Sequence, residues 1–135
     1  MKQERDQSGP PIAVESLRKS FGAQRVLRGL SLQIEQGTTL AVLGRSGTGK
    51  SVLLKLLIGL QQPDAGSVRI LGHEIAGLKT NELNEIRKKM GFLFQQAALY
   101  DALTVAENVE FPLSRHTGMG ESERRGKVQE LLASV

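Results

Sequence analysis

The sequence predicts an α/β fold in which a partly parallel sheet is covered by helices, and three consecutive segments carry that prediction. Thr38–Leu43 is a nearly continuous β-branched and aliphatic run, the pattern of a strand buried on both faces. A glycine-rich octapeptide, Gly44–Ser51, follows it directly. Lys50–Leu60 then carries Val52, Leu53, Leu54, Leu56, Leu57, Ile58 and Leu60 around almost its whole circumference, which predicts a core helix. At 135 residues the chain has room for one domain of modest size.

The other elements follow in chain order. Residues 1–11 begin with the polar stretch Met1–Pro10 and read as a flexible tail ahead of a domain over 12–135. Ile12–Leu17 is a strand in which Ile12, Val14 and Ser16 alternate with Ala13 and Glu15. Leu30–Glu35 alternates in the same way, and Gln36–Gly37 is a turn. Gly59 weakens the end of the core helix, Pro63–Gly66 is a turn, and Ser67–Leu71 is a short strand. Thr80 is read as the cap of a helix reaching about Lys89, and Gly91–Gln95 as a strand. Thr104-x-x-Glu107 has the spacing of a capping box and opens a helix that Pro112 ends or nearly ends. From about Glu121, the spacing of Val128, Leu131, Leu132 and Val135 predicts an amphipathic helix. Its apolar stripe is unfinished at Val135, so the sequence reads as truncated within a helical subdomain.

Composition excludes several classes. The chain has no cysteine, hence no disulfide framework and no thiolate metal site. Its longest apolar run, Val52–Leu60, is interrupted by Lys55 and is far short of the ~18–20 residues of a membrane span. The net charge is +4, but only Arg87–Lys89 and Arg124–Lys127 cluster. Both lie on predicted helices and read as solvated faces, so no nucleic-acid partner is expected.

The octapeptide Gly44-Arg45-Ser46-Gly47-Thr48-Gly49-Lys50-Ser51 fits G-x-x-x-x-G-K-[ST] at every fixed position. Glycines let the backbone turn tightly and aim successive N–H groups at phosphate oxygens. The loop runs into a helix N-terminus, whose N–H groups and dipole favour anions. Lys50 can reach β- and γ-phosphates, and the Ser51 hydroxyl can ligate Mg²⁺. This predicts a P-loop nucleotide-binding protein that works with Mg²⁺, and by itself leaves a kinase, a GTPase, a helicase and a transporter ATPase open.

The flanking residues narrow the class. Leu17-Arg-Lys-Ser-Phe21-Gly22, Val26-Leu27-Arg28-Gly29-Leu30-Ser31-Leu32, Leu60-Gln-Gln-Pro63-Asp64-Ala-Gly66-Ser67-Val68, and Phe94-Gln95 with Leu103-Thr104-Val105-x-Glu107-Asn108-Val109 appear in order. Together they resemble the N-terminal part of ATP-binding cassette (ABC) ATPases, from about Ile12 onward. The resemblance implies antiparallel N-terminal strands, then the parallel sheet. It gives Phe21 the role of the aromatic that stacks on adenine, with a core phenylalanine as the other reading. It makes Gln95 the Q-loop glutamine that helps hold Mg²⁺; Gln96 is adjacent, and Gln95 is chosen because it directly follows the apolar Phe94. Ala97–Asp101 would face a membrane permease, and a second ATPase subunit would complete a homodimer. The family's signature motif, Walker B carboxylates and switch histidine have no counterpart here, so no catalytic base is assigned and the chain alone is expected not to turn ATP over. His73 and His116 read as surface or turn residues.

Gly91-Phe-Leu-Phe-Gln-Gln-Ala-Ala-Leu-Tyr-Asp, continuing into Asn108-Val-Glu-Phe-Pro-Leu, resembles the Mla/Mce branch. That implies movement of phospholipid or another hydrophobic substrate, with the protein peripheral on the cytoplasmic face of the inner membrane. The alternatives are an ATPase of an amino-acid, metal or macrolide/lipoprotein transporter, and a nucleotide-binding module without turnover.

Overall fold

Gly22, at φ 57°, and Ala23 turn the chain back on itself and so join β1 (Ile12–Phe21) to β2 (Gln24–Ile34). A computed structural model describes residues 9–95 and 99–135. β3 (Ala65–Ile70) pairs with the other edge of β1, and β4 (His73–Glu74) pairs with β3. The sheet order is β2-β1-β3-β4, with every pairing antiparallel. The helices are α1 (Lys50–Leu57), α2 (Thr80–Arg87), α3 (Val105–His116) and α4 (Glu121–Ala133). The chain divides at Met90/Gly91 into two compact units.

In the first unit, α1 and α2 cover the sheet. The core joins Val14 and Leu17 of β1, Val68 and Ile70 of β3, Leu53, Leu56 and Leu57 of α1, and Leu83 and Ile86 of α2. Val14 and Leu17 are three apart yet both buried, because the ladder slips between them. Ser16 takes φ 48° there, and its N–H donates to Ser31 Oγ at 2.8 Å. Leu17, not Ser16, therefore continues the inward face, which corrects the simple alternation. Gly66 is what admits the bulge: a Cβ there would lie 2.5 Å from the carbonyl oxygens of Glu15 and Ser16. Asp64 then fastens the approach to β3 onto β1. Its carboxylate accepts from Lys19 Nζ at 2.8 Å and the Ser20 N–H at 2.6 Å.

Other expectations shift. α1 is not apolar-buried all round: Leu54 and Leu60 are about half exposed, and the buried face is Leu53, Leu56 and Leu57. The helix stops earlier than its apolar run because Gly59, at φ 67°, closes a Schellman motif. Gly59 N–H donates to Leu56 O at 3.0 Å and Leu60 N–H to Lys55 O at 2.8 Å. The N-cap of α2 is Lys79 rather than Thr80; the Glu82 carboxylate reaches back to the Lys79 N–H at 3.1 Å, holding Thr80 inside the first turn. The basic cluster at Arg87 is not merely solvated, since Arg87 Nε donates to Ile58 O at 2.9 Å and ties α2 to the end of α1.

The expected parallel strands are not paired. Thr38–Leu43 and Gly91–Gln95 lie outside any ladder, and no parallel pairing occurs among the described residues. Leu43 is 91% exposed and Leu93 94%. An apolar pattern on both faces states what a strand needs on each side without saying which segment supplies it. A parallel neighbour must arrive by a crossover of a dozen residues or more, and no such neighbour is present among the described residues. The α/β class stands, carried by an antiparallel sheet and its helices.

The second unit is built on α3 and α4. Thr104 and Glu107 form the reciprocal box: Thr104 Oγ1 accepts from the Glu107 N–H at 3.3 Å, and Glu107 Oε2 accepts from the Thr104 N–H at 2.7 Å. Pro112 lies inside α3, which continues to His116. It removes one helical hydrogen bond without ending the helix. Arg124 Nε on α4 pairs with Glu110 on α3 at 2.9 Å, both side chains being largely shielded. Along the predicted stripe of α4 only Val128 is buried, and Val135 is fully exposed.

Candidate phosphate-binding site

Gly47 and Gly49 stand at φ 80° and 98°, so the loop uses backbone conformations that side-chain-bearing residues rarely adopt. Gly49 is constrained a second way. A Cβ there would meet Val26 Cγ1 at 2.7 Å, so the loop packs directly against β2. Thr48 latches the turn, its hydroxyl donating to Arg45 O at 2.8 Å. Lys50 folds back across the loop, and its ammonium donates to Gly44 O at 2.6 Å and Arg45 O at 2.8 Å. These bonds fix the curvature of Gly44–Ser51 from within.

The loop opens onto α1, where Gly49 supplies no capping side chain and the first turn has no acidic residue. The Leu53 N–H makes the first helical bond, to Gly49 O at 2.8 Å. The N–H groups of Lys50, Ser51 and Val52 precede it and have no intrahelical acceptor. Helix dipole, uncapped donors and the Lys50 ammonium all favour an anion at this end. The donor set fits a phosphate chain. The exposed Ser51 hydroxyl fits one position on a hard cation that the phosphates would largely hold.

A cleft of about 520 Å³ adjoins the loop, with Gly47 and Thr48 on one wall and Gln24, Arg25, Val26 and Arg28 on the other. Arg25 and Arg28 share the cleft because of a register shift. Lys19 pairs with Leu27 but Ser20 with Arg25, which makes Val26 an extra residue on β2. That insertion brings side chains three apart onto the same face. Sequence reasoning missed both arginines, since strict alternation places them on opposite faces.

The structure brings Gly44, Arg45, Ser46, Gly47, Thr48, Gly49, Lys50 and Ser51 together in one loop. Phe21 sits at the end of β1, 46% exposed and therefore not in the core. Lys19 Nζ lies 5.6 Å from its ring centroid, and the ring does not line the cleft. Gln95 is an exposed residue of the second unit. Of the expected permease-facing segment Ala97–Asp101, Ala97 and Ala98 lie outside the described residues, as does Gln96; Tyr100 and Asp101 are exposed. Asn108 organises that neighbourhood. Its Oδ1 accepts from the Tyr100 N–H at 2.7 Å, while its Nδ2 reaches Tyr100 O at 3.2 Å and Leu103 O at 3.1 Å. No helix among the described residues is long and apolar enough to cross a membrane.

The chain is similar to known proteins. The ABC transporter family profile matches residues 27–135. A probable ribonucleotide transport ATP-binding protein, mkl, of Mycobacterium tuberculosis is 46% identical over 127 residues, covering 94% of this chain and 35% of its own length. The methionine import ATP-binding protein MetN of Brucella abortus is 39% identical over 128 residues, covering 95% of this chain and 34% of its own. The chain thus spans about a third of the length of these curated relatives. Among solved structures, the dimeric ATP-binding cassette MJ0796 bound to ADP and Pi superposes with a TM-score of 0.81 at 34% identity, covering 90% of this chain and 56% of that one.

Proposed function

The chain belongs to the ABC transporter family, and from that premise we propose that it is the N-terminal part of a transporter's ATP-binding subunit. The carrying observation is the Gly44–Ser51 loop, with its two positive-φ glycines, its uncapped helix and the Lys50 ammonium folded over the turn. The backbone N–H groups and Lys50 hold the phosphates of ATP. The Ser51 hydroxyl takes one position on the Mg²⁺ that accompanies the phosphates. Phe21 offers its exposed face to the base. The bound nucleotide supplies the energy of hydrolysis, and this chain's residues bind and orient it.

The whole protein couples ATP hydrolysis to movement of phospholipid or another hydrophobic substrate of the Mla/Mce type. It works as a homodimer on a membrane permease, at the cytoplasmic face of the cell membrane, with Ala97–Asp101 toward the permease. The dimeric cassette structures support the dimer. The Gln95–Tyr100 and Phe111–Leu113 runs support the hydrophobic substrate. The relatives are named for ribonucleotides and methionine, which makes these the competing substrates. The test is ATP turnover by the full-length protein reconstituted with its permease. Stimulation by phospholipid, and not by methionine or ribonucleotides, is expected; the reverse pattern overturns the substrate class. A photo-crosslinker at Tyr100 should capture a permease loop, and its capture of no membrane protein overturns the partner.

A further inference from the structure

We infer that Arg25 and Arg28 form a second cationic contact for the nucleotide's phosphate chain, across the cleft from the glycine loop. The inference rests on the nucleotide reading above and extends it to residues outside the motif. Three observations carry it. Both arginines line the same 520 Å³ cleft as Gly47 and Thr48. The extra residue at Val26 in the β1–β2 register is what puts them on one face. Neither forms an ion pair among the described residues, although Lys19, Arg69, Lys88, Arg124, Arg125 and Lys127 all do.

Arg28 leans along β2 toward Arg25, its Nε lying 3.5 Å from Arg25 O at the outer limit of a hydrogen bond. Both arginines are exposed cations on one wall of the cleft, which makes that wall favourable to an anion. The anion this cleft can share with the loop is the phosphate chain itself. Guanidinium forks suit phosphate oxygens because they present paired donors in a plane. Lys50 supplies charge from the helix side of the loop, so Arg25 and Arg28 supply it from the strand side. The contact is sequence-local to β2 and independent of the base.

The experiment measures equilibrium binding of Mg-ATP, Mg-GTP and adenosine to the full-length protein across a salt series. Arg25→Gln and Arg28→Gln are compared with wild type and with the charge-keeping Arg25→Lys and Arg28→Lys. The glutamine variants should bind both nucleotides about three- to tenfold more weakly, the range expected for losing a partly solvated charge-assisted bond. Their salt dependence should be shallower, adenosine binding should be unchanged, and the lysine variants should keep most of the salt dependence. Unchanged nucleotide affinity in both glutamine variants, with unaltered thermal melts, overturns the inference. So does an equal loss for adenosine, which would place the arginines on the sugar or base. A wild-type protein that binds no nucleotide would instead sink the nucleotide reading, and this inference with it.

Discussion

Gly49 shows how one residue can serve both fold and site. Its φ of 98° belongs to glycine, and a methyl group there would meet Val26 Cγ1 at 2.7 Å. Gly49→Ala should therefore cost about 2 kcal/mol or more of stability from strain and overpacking, read by denaturant unfolding, and should displace the loop. An alanine variant as stable as wild type would mean the loop does not pack on β2 as described. Asp64 is a second case. The Lys19 ammonium and then the Ser20 N–H hold its carboxyl below the ordinary carboxylate range. A lowered folded-state pKa gives stability that is present above the unfolded value, near pH 4, and is lost as pH falls through the lowered value. The thermal midpoint of wild type should accordingly fall through that acid window, while Asp64→Asn should be flatter there. Parallel acid limbs in the two proteins would contradict the staple. The phosphate loop itself was legible in the sequence because its chemistry needs fixed residue types at fixed spacing. Arg25 and Arg28 were not, since a bulge breaks the strand period, and neither was the clamp that Asn108 closes on Tyr100 and Leu103, since no fixed residue spacing marks it.

At the scale of elements, local chemistry proved more readable than tertiary partnership. Thr104 and Glu107 sit at the start of α3 as their spacing requires, because a capping box is closed by residues three apart. Thr104→Ala should cost about 1 kcal/mol, the usual value of an N-cap, measured by thermal unfolding of the second unit; no loss would show the cap to be idle. The turn-proximal half of the β1–β2 hairpin was hidden by its polar residues, Arg18, Lys19, Gln24 and Arg25, and by ladder slips at Ser16 and Val26 that break the two-residue period. Thr38–Leu43 posed the opposite problem. Its composition is that of strand material, yet strands exist only in pairs and this segment joins no ladder. In the 135-residue chain its amides should exchange with solvent far faster than those of β1 or β3, and hydrogen exchange showing equal protection would reveal an unrecognised pairing.

In the first unit of the molecule, an antiparallel sheet, a helix docked on it and the loop that joins them act together. β2 braces Gly49, α1 offers uncapped N–H groups, and Lys50 supplies the charge. The α/β class and the family were readable because several motifs occur in order; the layout of the sheet was not, since each apolar strand leaves its neighbours unstated. The central claim is that Gly44–Ser51 binds the phosphates of ATP. Calorimetric titration of Mg-ATP into full-length wild type and Lys50→Ala tests it most directly. Wild type should bind, and the alanine variant, melting at the same temperature, should bind at least about tenfold more weakly for loss of a charged contact worth roughly 1.5–3 kcal/mol. Equal affinity in the two proteins would contradict the account.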